Sequence, residues 1–228
     1  MGKNHLMRLA APKTWQVNRK KFKFIAKPSP GAHSLETCMP LSVMLIEVFD
    51  YAHTKKEVRK ILNANEVKID GKFRKDFSFG VGIFDTMEFV SINEYFRVIL
   101  NKKGKIDLIK ISKEESLVKP CKIIGKSMVK GKLQLNLFDG KNIIVDKGPY
   151  KVGDSLVLSL PEQKIVNHLK LEKKSSIFLT GGKHIGETGN VEDIIENKII
   201  YKDENGSLIE TSKDYAFVIR KNEPDEKH

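Results

Sequence analysis

No segment of this sequence is apolar enough to cross a bilayer. The longest apolar stretch, Met39 to Phe49, is about eleven residues and contains Glu47, against the roughly twenty a helical span requires. A secretory leader is not expected, because Trp15, Val17, Phe22, Phe24 and Ile25 are interleaved with charge instead of forming an apolar core behind a cationic start. These absences lead to the expectation of a cytoplasmic chain with no membrane partner. Cysteine is scarce: Cys38 and Cys121 stand alone, without a CxxC companion, and are expected to be reduced thiols of minor structural weight. The six histidines, His5, His33, His53, His168, His184 and His228, show no HxxxH or comparable metal spacing. A Gly-x-Ser-x-Gly elbow is absent as well. No catalytic residue, metal, cofactor or small-molecule substrate is expected.

Acidic residues are missing where basic ones concentrate. The first thirty residues hold eight Lys or Arg and no Asp or Glu, so they supply +8 of the net +12 and leave +4 for the other 198. An isoelectric point near 9.5 therefore belongs mostly to one end of the chain and points to a polyanion as partner. Prolines 12, 28 and 30 and the lack of a sustained period of 2 or 3.6 give an extended arm over residues 1–40. A tail meant only to be soluble has no use for Trp15, Phe22 and Phe24. Rings among cations suit a segment that tracks a nucleic-acid strand, the cations neutralising phosphates and the rings stacking on bases.

From Leu41 the pattern is helical, with Leu41, Leu45, Val48, Phe49 and Ala52 on one face behind Pro40. Thr54 followed by Glu57 matches a capping box and opens a second helix. On it Val58, Ile61 and Leu62 form an apolar stripe and Lys55, Lys56, Arg59 and Lys60 a cationic one that lacks i,i+4 acidic partners. Asn63 or Asn65 then ends the helix, Val67 and Ile69 alternate as a strand, and Asp70-Gly71 signals a hairpin leading to Lys72, Arg74 and Lys75. This order resembles the small alpha-L RNA-binding fold over about Leu41 to Leu108, with Asn65 standing where many such domains have Gly.

Residues 106–172 carry period-2 strands, LQLNLF, then Asp139-Gly140, then KNIIV and KVGDSLVLSLP, and read as a central antiparallel β module without a polar constellation. In FLTGGKHIGETGNVEDI, four of the nine residues from Gly181 to Gly189 are glycine, which marks a tight loop between strands. The stretch resembles a KOW hairpin, with Gly181, Gly182, Gly186 and Gly189 shaping the turn and Lys183 and His184 at its tip. Neither GGKHIGET nor GVGIFD supports a nucleotide site: Glu187 replaces the lysine of a phosphate loop, and Asp85 replaces the third glycine of a dinucleotide motif.

Taken together, LMRLAAPKTW, ILNANEVKIDGK and TGGKHIGETG resemble, over nearly the whole chain, the archaeal and eukaryotic type of small-subunit ribosomal protein four, the four-e family, and the length suits its archaeal members. The resemblance implies a structural constituent of the small subunit, bound to ribosomal RNA beside neighbouring ribosomal proteins and without a catalytic site. The implied architecture is α+β: a basic extended arm (1–40), an alpha-L RNA-binding domain (41–105), a central antiparallel β domain (106–172), a KOW-type small β barrel (173–220) and a flexible tail (221–228). Its alternatives are an accessory protein of RNA-modifying enzymes and a KOW-type transcription elongation factor. The alpha-L modules of pseudouridine synthases accompany an Arg-Leu-Asp motif that this chain lacks, and KOW elongation factors do not usually begin with an alpha-L module.

The expected RNA-binding residues are Lys3, Arg8, Lys13, Trp15, Arg19, Lys20, Lys21 and Lys23 of the arm, Trp15 stacking on a base or ribose. Lys55, Lys56, Arg59, Lys60, Lys72, Arg74 and Lys75 form the cationic face, with Lys183 and His184 on the KOW tip. About eight phosphate contacts would give a slope of log affinity against log salt of roughly −6 to −7, most of it expected to vanish on deleting residues 1–37.

Overall fold

The computed structural model describes residues 5–146, 148–203 and 205–221. It divides into two compact units, one of residues 1–100, 104–119 and 160–162, the other of residues 101–103, 120–159 and 163–228.

In the first unit, β1 (Leu6–Met7) pairs antiparallel with β2 (Phe24–Ile25), and β3 (Cys38–Pro40) will pair with a later strand. Pro40 then starts α1 (Leu41–Val43), which widens into a π-helical turn over Met44–Val48. The expected regular helix is therefore one short turn and a bulge. Leu41, Met44 and Leu45 are fully buried. Next come α2 (Lys55–Asn63), β4 (Val67–Ile69), β5 (Lys72–Phe73) and β6 (Gly80–Gly82), the last pairing with β3. The unit continues with β7 (Thr86–Phe89), β8 (Glu94–Leu100), β9 (Ile106–Lys110) and a one-turn α3 (Lys113–Ser116) closed by a Ser112/Glu115 capping box. Its antiparallel sheet has the order β5-β4-β7-β8-β9. Because β9 pairs with β8, Leu100 opposite Ile106, this unit runs beyond the boundary expected at 105. A strand's sheet membership is decided by its hydrogen-bond partner, which period-2 alternation does not reveal.

Residues 5–40 are not a free arm. Trp15 is 1% exposed and its indole N–H donates to the Cys38 carbonyl at 2.8 Å. Gln16 Nε2 donates to the Ile106 carbonyl at 3.0 Å, and the Ile106 amide donates to the Thr14 carbonyl at 2.7 Å. The segment is irregular because its backbone groups bond outward to the rest of the unit instead of to a neighbouring turn of their own.

Three buried ionisable side chains, Lys119, Asp85 and His33, interlock with the half-buried Asp70 inside this unit. The Lys119 ammonium donates to Asp70 Oδ2 at 2.8 Å and to Asp85 Oδ1. His33 Nε2 lies 3.1 Å from both Asp85 oxygens, and the Gly82 amide donates to Asp85 Oδ2 at 2.8 Å. Burial alone would raise the Asp85 pKa, but the Lys119 charge, the His33 ring and the Gly82 amide reverse that and hold the carboxyl far below the usual carboxylate range. Gly82 is glycine because a Cβ there would come within 2.2 Å of the His33 ring. The other glycine of the Gly-x-Gly pair, Gly80, packs against Cys38, whose Sγ a Cβ would meet at 3.1 Å.

The second unit begins along β10 (Val118–Val129), followed by β11 (Lys132–Leu137), β12 (Asn142–Val145), β13 (Ser155–Ser159) and β14 (Ile165–Leu169), in the sheet order β12-β11-β10-β13-β14. Cys121, Ile123, Leu135, Leu137, Leu156 and Leu158 form its core. A second sheet holds β15 (Ser175–Leu179), β16 (Thr188–Ile195), β17 (Lys198–Asp203), β18 (Leu208–Ser212) and β19 (Ala216–Lys221), ordered β18-β17-β16-β15-β19. Ile177, Leu179, Val191, Ile199, Tyr201 and Val218 are buried in one cluster there. Gly189 admits the Tyr201 ring, which a Cβ would meet at 2.5 Å, and Gly181 does the same for Tyr215 at 2.5 Å, while Gly182 and Gly186 have φ of +84° and +80°. Burial, reinforced by the Glu187 and Asp203 charges, pushes the Tyr201 phenol up to about 12. Lys122 is buried in this unit and donates to the carbonyls of Lys213 (3.2 Å), Asp214 (2.8 Å) and Ala216 (2.8 Å).

Candidate nucleic-acid interface

Helix α2 is built to present cations. Thr54, in an extended conformation, accepts the Glu57 amide on Oγ1, while the Glu57 carboxylate accepts the His53 amide at 2.8 Å, one residue earlier than a standard capping box. Val58 and Leu62 anchor the buried face at 0% and 1% exposure, which turns Lys55, Lys56, Arg59 and Lys60 to solvent. Asn65 ends the helix with φ +55°. Asp70 (φ +50°) and Gly71 (φ +73°) make a two-residue turn between Ile69 and Lys72, the backbone of a type I′ hairpin.

One side-chain contact joins the basic clusters. The Arg59 guanidinium lies 5.1 Å from the Phe77 ring centre, which sets the helix beside the segment after the hairpin; within that segment the Arg74 guanidinium lies 4.4 Å from the Phe79 ring centre. A cleft of about 240 Å³ has Lys21, Phe22 and Phe24 on one side and His53 and Lys55 on another, so the arm and the start of α2 share one surface. Lys20, Lys21, Lys23, Lys55, Lys56, Lys60, Lys72 and Lys75 are exposed, as is Lys13, and none has an ion-pair partner among the described residues.

Not every expected residue belongs to this surface. Trp15 is packed in the interior, so it cannot stack on a base. Its ring is too large and its N–H too well matched to the Cys38 carbonyl to leave the core cheaply. Arg8 is 6% exposed and is gripped by Glu47 and the Asn18 carbonyl, both at 2.9 Å, so it is a wall of the cleft and no part of the exposed lysine face. Arg19 donates to the carbonyls of Leu9 (3.2 Å), Ala11 (2.8 Å) and Pro12 (2.8 Å), stapling the arm's own loop. Arginine's fork of donors suits it to such internal bracing, whereas lysine is more strongly hydrated and stays outside. In the second unit Lys183 is exposed, but His184 Nδ1 sits 3.0 Å from Glu187 Oε2 and is tied into its own loop. Lys3 and most of the expected tail lie outside the described residues. A feature missed from sequence is Phe73, 49% exposed with the Lys68 ammonium 5.0 Å from its ring centre. A ring directly after Lys72 was its only signal.

Among the described residues no group of His, Cys, Asp and Glu could hold a metal ion, and no helix is long and apolar enough to cross a membrane. Both cysteines are buried and neither forms a disulfide, and burial with help from Asp85 pushes the Cys38 thiol up to about 11.

The class of molecule follows from comparison with known proteins, which are ribosomal: the family model Ribosomal family S4e matches residues 92–165 and that of the RS4NT (NUC023) domain matches residues 1–36. Small ribosomal subunit protein eS4 of Methanocella arvoryzae is 41% identical over 228 residues, covering 97% of this chain and 96% of the relative. Its counterpart in Staphylothermus marinus is 37% identical, covering 98% and 94%. The crystal structure of the 30S ribosomal protein S4e from Thermoplasma acidophilum superposes with a TM-score of 0.69 at 30% identity, over 80% of this chain and 95% of that one. The chain therefore belongs to the eS4 family of small ribosomal subunit proteins.

Proposed function

We propose that the chain is a structural constituent of the small ribosomal subunit in the cytoplasm and binds ribosomal RNA through the lysines of its first unit, without catalysis or a cofactor. One observation carries the reading. Lys20, Lys21, Lys23, Lys55, Lys56, Lys60, Lys72 and Lys75 are exposed around one helix, one hairpin and one strapped segment without carboxylates to neutralise them. Such a face attracts phosphates and releases their counterions, reading an RNA by shape and backbone charge. The names of the relatives, small ribosomal subunit protein eS4, support the subunit assignment.

In this reading residues 41–105 form the core of an alpha-L module extended by β9, residues 173–220 a KOW-type barrel, and the strands between them a spacer. Lys13 and Lys183 lie outside the principal face and serve as secondary contacts. Neighbouring ribosomal proteins are the remaining partners.

Deleting residues 1–37 is no longer a clean test, since it removes the buried Trp15. The test is Lys55→Gln, Lys56→Gln, Lys60→Gln, Lys72→Gln and Lys75→Gln combined in the full chain, with binding to small-subunit RNA measured across salt concentrations. The salt slope is expected to flatten by roughly 3.5 to 4.5. An unchanged slope, or migration of the native protein away from small subunits on a sucrose gradient, refutes the assignment.

A further inference from the structure

The cleft between the strapped segment and α2 is more than a gap between lysines. Arg8, Phe22, Phe24, Ser42, Glu47 and Lys55 are among its walls. Two of these carry buried polar atoms without a hydrogen-bond partner, Ser42 Oγ and Arg8 Nε, on residues only 2% and 6% exposed. Unpartnered buried donors are rare in folded proteins and ask for a missing partner. Glu47 beside them has one oxygen held by Arg8 at 2.9 Å and no other partner among the described residues. Phe22 is 64% and Phe24 48% exposed, with the Lys21 and Lys23 ammonium groups 5.8 and 5.5 Å from their ring centres.

We propose that this cleft receives a single unpaired nucleotide of RNA, guanine by preference. The inference rests on the RNA-binding reading above and adds to it a base-specific pocket that a surface of lysines alone would not have. Exposed rings with cations beside them offer a stacking platform, and Lys21 and Lys55 stand where the phosphates on either side of an extruded nucleotide would run. Guanine fits the polar lining best. Its pairing edge presents adjacent N–H donors to a carboxylate such as Glu47, while its O6 and N7 accept from an arginine or a hydroxyl such as those of Arg8 and Ser42. Uracil and cytosine present no such pair of donors, and adenine lacks O6. A duplex has no free base edge to enter the cleft, so the pocket selects bulges and loops.

The experiment uses the full chain and fluorescence anisotropy with hairpin RNAs of identical stem, one uninterrupted and four with a single bulged G, A, C or U. The bulged-G hairpin is expected to bind about tenfold more tightly than the uninterrupted one, the lower range of base stacking plus edge readout. In S42V and in F22A, whose exposed ring can be removed without touching the core, that ratio is expected to fall to less than threefold. Equal binding of bulged and uninterrupted hairpins by the unsubstituted chain, or a G preference that survives both substitutions, overturns the pocket while leaving the lysine face standing. Failure to bind any of the hairpins at near-physiological salt overturns the RNA-binding reading and the pocket with it.

Discussion

The two units carry similar net charge yet arrange it differently. The first holds 21 basic against 14 acidic side chains, +7, and the second 20 against 15, +5. In the second unit several lysines are engaged: Lys132 with Asp146 (3.5 Å), Lys141 with Asp139 (2.9 Å), Lys173 with Asp193 (2.9 Å) and Lys198 with Glu210 (2.5 Å). In the first, Lys55, Lys56, Lys60, Lys72 and Lys75 stand without carboxylates. A site for a polyanion is a matter of unneutralised neighbours more than of net charge, because a salt-bridged lysine must give up its partner before it can meet a phosphate.

The interiors differ in the opposite sense. Lys119 and Lys122 lie three positions apart on β10 and are both buried, at 1% and 8% exposure. Lys119 is held by the carboxylates of Asp70 and Asp85, Lys122 by three main-chain carbonyls. Burial lowers the Lys122 pKa to about 8, since carbonyl dipoles compensate a charge less fully than carboxylates do.

The strongest way to break this comparison is Lys119→Met, which leaves the buried Asp85 and the half-buried Asp70 without their shared cation. It is expected to destabilise the chain by about 3 to 5 kcal/mol in urea unfolding. A loss of only about 1 kcal/mol would mean that the cluster is open to water. Trp15→Ala should cost about 3 to 5 kcal/mol as well. Its signature is lost stability with unaltered RNA affinity of the remaining folded fraction, which separates a core role from a stacking one.

The Lys55/Lys56/Lys60/Lys72/Lys75 glutamine variant is expected to lower RNA affinity by about a hundredfold at low salt, whereas Lys132→Gln, Lys173→Gln and Lys198→Gln together should change it by less than about threefold. Filter binding at matched salt measures both. Equal losses would erase the distinction between the units.

Two pH arms sharpen the contrast. Asp85 ionises at lower pH in the folded than in the unfolded chain, so its interactions stabilise fully above about pH 4 and are lost as pH falls below that. Asp85→Asn should flatten the acid limb of a stability profile taken from pH 7 to 2.5. Lys122 behaves oppositely: its folded pKa is lowered, so between about 8 and 10.5 the unfolded chain holds a proton that the folded one has released, and stability rises with pH. Comparison with Lys122→Met should isolate a rise on the order of 2 kcal/mol across that window. The smallest effect is Thr54→Ala, which loses the α2 cap and about 1 kcal/mol, read by thermal unfolding.

Much of the candidate surface was legible in the residues. The Thr54/Glu57 cap, the lysines of α2, the helix-ending Asn65 and the Asp70-Gly71 turn all depend on contacts within a few positions, and local chemistry decides them. The fate of the arm was not legible. Arg19 and Lys20 are adjacent and carry the same charge, yet Arg19 braces three carbonyls and Lys20 faces solvent. Trp15 looked like a stacking ring until its N–H found Cys38, a residue 23 positions away.

By itself, then, the order of residues determined where cations concentrate, which helix displays them and which turns reverse the chain, because charge, capping and positive φ act over short distances. Only the tertiary structure decided which cations remain available to a partner, that β9 completes the first sheet, and that Ser42, Arg8 and Glu47 meet in one cleft. Those outcomes depend on contacts between residues far apart in sequence, whose partners no local pattern names.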